Sequence, residues 1–117
     1  MKEGQGWRVG WDASAPIYKG LLGGEDWALE LTAEEFQDFS RLAQQLASTM
    51  EAMATELMDE ERIACEAESH GIWLEAEGVP HQYSLRFILT TGRRGEGAWP
   101  EPVVGEVLRA LTRLTLF

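Results

Sequence analysis

Residues 62–94, RIACEAESHGIWLEAEGVPHQYSLRFILTTGRR, alternate apolar and polar side chains with period two through three short runs. His70-Gly71 and Val79-Pro80 separate those runs with turn-forming residues. The pattern predicts three antiparallel strands joined by tight turns. Ile63, Cys65, Ala67, Ile72, Leu74, Ala76, Tyr83, Leu85, Phe87 and Leu89 fall on one face. Arg62, Glu66, Glu68, Trp73, Glu75, Glu77, Ser84 and Arg86 fall on the other. A sheet with one apolar side must be covered, so the chain has to supply lids.

The segments on either side supply them. Residues 1–6 are polar and contain glycine, a start expected to fray. Residues 7–12 (WRVGWD) alternate as a half-buried strand, and residues 13–16 (ASAP) form a turn. A second strand is expected over residues 17–22, halted by Gly23-Gly24, and a third carries Trp27, Leu29 and Leu31. Thr32 followed by Glu35 is the sequence signature of a capping box, and Glu34, Glu35 and Asp38 suit the positive end of a helix dipole. Phe36, Phe39, Leu42, Ala43, Leu46, Met50, Met53 and Leu57 then recur at helical spacing, predicting a helix that runs to Met58 with a core-facing stripe. Asp59, Glu60 and Glu61 oppose the dipole at its far end and are expected to help terminate it. Residues 91–102 read as a loop, and Pro102 suits the first turn of a second helix with Val104, Val107, Leu108, Leu111 and Leu114 inside. Gly105 weakens that helix by roughly 1 kcal/mol relative to alanine, which close packing against a strand would explain. The expected order is βββα followed by βββα, with room for a fourth strand in each unit: an α+β fold of two antiparallel units with curled sheets, in a single domain over residues 1–117.

Charge narrows the function classes. The formal charge of −10 divides into −12 over residues 1–80 and +2 over residues 81–117. An acidic chain repels polyanions at long range, which disfavours nucleic acid and anionic membrane as partners. One cysteine, Cys65, excludes an internal disulfide and suits a reducing compartment. With no apolar run near ~18 residues and no charged-then-apolar leader, the chain is expected to be soluble and cytoplasmic. P-loop, G-x-G-x-x-G, H-E-x-x-H and G-x-S-x-G patterns are all missing, so no cofactor and no catalytic residue is assigned.

Two places invite a partner. On the polar sheet face, a His70-Gly71 turn sets Glu66 opposite Glu75, and a Val79-Pro80 turn sets Trp73 opposite Arg86 and Glu75 opposite Ser84. Facing carboxylates destabilise by a few tenths to about 1 kcal/mol unless a cation intervenes. An Arg86–Trp73–Glu75 cluster relieves part of that. The face is either a solvated surface with Arg62 and Arg86 as counter-charges, or a site for a cation or basic partner that also uses His81. Six or more oxygens for a hard cation are available there only with water, so no metal ligand is assigned. Arg93 and Arg94, just before Trp99, make the one concentrated basic loop. It suits a carboxylate, a phosphate or the acidic surface of a second copy, or else it pairs internally with Glu96. Cys65 alternates onto the apolar face and reads as a small buried hydrophobe, not as a partner for His70 or His81. The Met50, Met53, Leu57 and Met58 end of the first helix suits either core or an adaptable surface for a partner, and core is the expectation.

The segments GWRVGWD, LLGGEDWALELTAEEF, ELMDEERIACEAES, IWLEAEGVPHQYSLRFIL and GRRGEGAWP resemble, in sequence and order, a family of small cyanobacterial proteins of unknown function. The resemblance covers nearly the whole chain. It implies a fold similar to the Whirly and transcriptional-coactivator single-stranded-DNA-binding fold, two β-rich units each followed by a helix. Such relatives bind single strands across sheet surfaces with basic and aromatic groups. Here the corresponding face offers Glu66, Glu68, Glu75 and Glu77 instead. The first expectation is therefore a non-enzymatic protein-interaction or self-association module using Arg86, Arg93, Arg94, Trp73 and Trp99. The second is a single-stranded nucleic-acid binder, with Trp7, Trp73 or Trp99 stacking on bases. A metal or catalytic site on the glutamate face is third.

Overall fold

The computed structural model describes residues 1–58 and 60–114. Two antiparallel four-stranded sheets are each followed by a helix. Sheet A joins β1 (Lys2–Gly4), β2 (Trp7–Trp11), β3 (Gly20–Gly24) and β4 (Ala28–Leu31) in chain order, and α1 (Ala33–Met53) follows. Sheet B joins β5 (Ile63–Glu68), β6 (Ile72–Val79), β7 (Gln82–Leu89) and β8 (Gly95–Trp99), and α2 (Glu101–Leu114) follows. The class is α+β, and neither sheet closes on itself.

The inner face of sheet B is the one the alternation predicts. Ile72, Leu74, Ala76, Leu85, Phe87 and Leu89 are buried in one core with Phe36, Phe39, Leu42, Leu46 and Met50 of α1 and Val104, Val107 and Leu111 of α2. Helix α1 packs on β5 and β6, and α2 packs on β7 and β2. The helices meet where Gln44 Nε2 donates to Thr112 Oγ1 at 3.0 Å.

Each half has one strand more than the alternation predicts. Strand β1 is exposed throughout, so it buries nothing that a hydrophobic pattern could register. A left-handed Gly6 (φ 83°) turns it back onto β2. Strand β8 is expected as loop because two of its three inward positions, Gly95 and Gly97, are glycines. Those glycines make room for side chains of sheet A. A Cβ on Gly95 would lie 3.0 Å from Leu29 Cδ2, and one on Gly97 would overlap the Trp27 ring. Gly23-Gly24 does not halt the preceding strand either. It lies within β3, where a Cβ on Gly24 would overlap the Trp27 indole, while Ile17 and Tyr18 lie outside the strand and exposed.

The capping box forms as expected. Glu35 N–H donates to Thr32 Oγ1 at 3.2 Å, and Thr32 N–H donates to Glu35 Oε1 at 2.9 Å. The helix ends at Met53, about a turn before Met58. Ala54 N–H bonds Glu51 O at 3.1 Å, and Met58 is 77 % exposed. Met50 is core, whereas Met58 is not. Asp59, expected among the terminating acids, lies outside the described residues.

Gly105 does not face a strand. It is exposed, and a Cβ there would meet only the flexible end of Arg109, at 3.4 Å. Two glycine substitutions should thus move in opposite directions in chemical denaturation. Gly105→Ala should stabilise by about 1 kcal/mol, and Gly97→Ala should destabilise by roughly 1–3 kcal/mol through collision with Trp27.

Candidate functional site

The outer face of sheet B is set by register. Ser69 N–H bonds Ile72 O at 2.9 Å around the His70-Gly71 turn, and Glu66 stands opposite Glu75 as the spacing predicts. The next turn is Pro80-His81, one residue later than expected, closed by the Val79–Gln82 pair. Moving a turn by one residue moves the pairing by two, so every side chain keeps its face while its neighbour changes. Arg86 is therefore opposite Glu75, not Trp73. Trp73 is opposite Ile88, and Glu77 is opposite Ser84.

That register gives the facing carboxylates their cation. Arg86 Nε donates to Glu75 Oε1 at 2.9 Å, and its guanidinium lies 4.8 Å from the centre of the Trp73 ring. The Glu75 hydrogen bond holds the guanidinium still more firmly protonated than usual. Trp73 Nε1 donates to Glu66 Oε1 at 3.2 Å. Four residues on three strands thus form one connected cluster. Around it stand Glu68, Glu77 and Glu96, all exposed, with Ile88 half-buried beside Trp73. The sequence pattern as read above leaves Ile88 off this face and gives Glu96 only as an internal partner of the basic loop. The parity of Ser84 and Arg86 already places Ile88 on this face, but Glu96 needed β8 to be seen as a strand.

The basic loop divides. Arg93 is internal in its bonding: Nη1 donates to Glu30 O at 3.0 Å, Nη2 pairs with the Glu35 carboxylate, and the guanidinium sits 4.8 Å over the Tyr18 ring. Its partner is the capping residue Glu35 and not Glu96. Arg94 is exposed, in the left-handed backbone region at φ 52°, and forms no ion pair among the described residues.

Trp99 is buried, 1 % exposed, with Nε1 donating to Gly23 O at 2.8 Å, so it presents no surface to a partner. Trp7 is likewise buried. Cys65 is half-buried on the inner face, while His70 and His81 lie exposed in separate turns. Among the described residues no group of three or more His, Cys, Asp and Glu side chains is arranged to hold a metal. Nor is any helix among them long and apolar enough to cross a membrane.

The far end of the face is tied to α1. Ser69 Oγ donates to Asp38 Oδ2, and Arg41 Nη2 bonds Asp38 Oδ1 at 2.6 Å. Partial burial pushes the Asp38 carboxyl up, but the hydrogen bonds from Ser69 and Arg41 outweigh it and hold the group below its ordinary 3.8. A depressed folded value contributes stability above the unfolded value, and that contribution disappears as pH falls through the folded one. Ser69→Ala should therefore cost about 1 kcal/mol at neutral pH. Urea melts across an acid titration should show the gap to the native chain closing as Asp38 protonates.

A model for a family described as "Domain of unknown function" matches residues 2–114 of the chain. The chain is also similar to a crystal structure of a protein of unknown function from Prochlorococcus sp. NATL2A, described as being from the DUF155 family. The two share 31 % sequence identity and superpose with a TM-score of 0.91, covering 97 % of this chain and 96 % of that one. No curated protein matches the chain.

Proposed function

Because the chain belongs to the DUF1818 family, whose description carries no activity, we propose a function from its own surface: a non-enzymatic module that binds a basic polypeptide segment on the outer face of sheet B. The observation that carries this reading is the make-up of that face. Glu66, Glu68, Glu75, Glu77 and Glu96 surround the Trp73–Ile88 pair, and Arg86 is already committed to Glu75. An aromatic and an aliphatic side chain beside an arginine, rimmed by charge of one sign, have the composition of an interface centre. The rim's sign selects the partner. Lysines and arginines complement it, and attraction between opposite charges speeds encounter. A second copy of this chain would bring glutamates against glutamates, so the same face works against self-association.

Two β units, each followed by a helix, also suit the Whirly-type arrangement that the sequence resemblance implies, in which a single nucleic-acid strand crosses a sheet. Such a strand needs cations to displace its counterions and open aromatic faces for its bases. Five carboxylates against Arg86, itself paired with Glu75, and Arg94 beside Glu96 disfavour that occupant. The kinship then extends to shape and not to ligand.

Titration of a lysine-rich peptide at low salt should change tryptophan fluorescence, and Trp73→Phe should remove the change. Added salt should weaken the complex. A Glu66→Gln, Glu77→Gln double variant should lower affinity by about tenfold while melting normally. Failure of the peptide to bind at low salt, or tighter binding of oligothymidylate than of the peptide, would rule the reading out.

A further inference from the structure

The loop between β7 and β8 uses its two arginines differently, and the difference points to a second site. Arg93 is anchored to Glu35, to the Glu30 carbonyl and to the face of Tyr18. The next residue, Arg94, is the one non-glycine with positive φ among the described residues. Its neighbours Gly92 and Gly95 show that glycine is available in this loop, and glycine would adopt φ 52° without steric cost. The strain is retained in return for an exposed guanidinium with no ion-pair partner among the described residues. Arg94 borders an open cleft of about 520 Å³, whose other lining residues include Ile88, Leu89, Thr90 and Glu96.

We propose that this cleft binds a monocarboxylate bearing a short apolar substituent, with Arg94 holding the carboxylate. The guanidinium offers parallel donors that match two carboxylate oxygens. Thr90 also lines the cleft, and Ile88 gives an apolar wall for the substituent; the Leu89 side chain lies in the core. Glu96 sets the charge. One carboxylate beside one arginine leaves the cleft near neutral, so a single anionic charge is matched by Arg94 while a second one has no cation to meet. The cleft shares Ile88 and Glu96 with the face proposed for a basic segment, but Arg94 anchors this ligand, so binding of isovalerate and of the lysine-rich peptide are separate tests.

The probes are isovalerate and its uncharged amide, followed by backbone-amide NMR of the intact chain. Isovalerate should shift the amides of residues 90–96 saturably, and isovaleramide should not. Arg94→Gly should weaken isovalerate by roughly tenfold or more, and it should raise the melting temperature by a few degrees by relieving the left-handed backbone. Glu96→Gln should tighten binding. A leucine-terminated peptide with a free carboxylate, compared with its amidated twin, identifies the source. Tighter binding than isovalerate, dependent on the free carboxylate, indicates a protein chain end; weaker binding indicates a small free acid. The proposal fails if isovalerate does not saturate, if the amide binds equally, or if Arg94→Gly binds unchanged. An Arg94→Gly melting temperature no higher than that of the native chain would also defeat it, because Arg94 would then be held there at no cost.

Discussion

The two sheets are joined by an exchange of tryptophans. Trp27, just ahead of β4, donates its indole N–H to Ala98 O of β8 at 3.0 Å, and Trp99 of β8 donates to Gly23 O of β3 at 2.8 Å. The Trp27 ring lies over backbone stripped of side chains at both Gly97 and Gly24. Phe87 and Phe39 complete the cluster, with the Phe87 and Trp99 rings stacked at 5.8 Å. An aromatic side chain buries the largest apolar area available to one residue, and a buried indole N–H without an acceptor would forfeit part of that gain. Backbone carbonyls of the opposite sheet supply the acceptors here. The apolar faces of both sheets then share one core beneath the two helices.

This junction explains what could be read in the residues and what could not. Alternation reports burial on one side of a strand, so β2, β6 and β7 were visible. The inner positions of β8 are filled from outside the strand, by Leu29 and Trp27, and a glycine there leaves no periodic signal. Strand β1 has no buried side to report. Faces survived an error in register because the misplaced turn moved by a whole residue, but contacts did not. The ion pair of Arg86 depends on knowing that Pro80 and His81, and not Val79 and Pro80, make the corner.

Surface chemistry was legible in the same uneven way. The glutamates of β5 and β6 point outward as their spacing requires, and Trp73 and Arg86 come together as expected. Trp99 and Arg93 looked equally suited to a partner in sequence, yet both are consumed within the fold. Only tertiary packing distinguishes a tryptophan that closes a core from one that rests on a surface. Glu35 carries a similar double load: its carboxylate caps α1 and receives Arg93, so the start of the helix and the β7–β8 loop share one anchor. The electrostatics of the molecule thus separate into pairs that organise the chain and an outward remainder in which carboxylates predominate.

The closeness of Trp27 and Trp99 also has an optical consequence. With ring centres 5.2 Å apart and planes inclined at 56°, the two indoles are held in one fixed asymmetric setting and should contribute to the circular dichroism above about 250 nm. That band would measure whether the two halves are docked, independently of secondary structure. A state that keeps its strands and helices but loosens the junction would lose it while its far-ultraviolet spectrum stayed nearly intact.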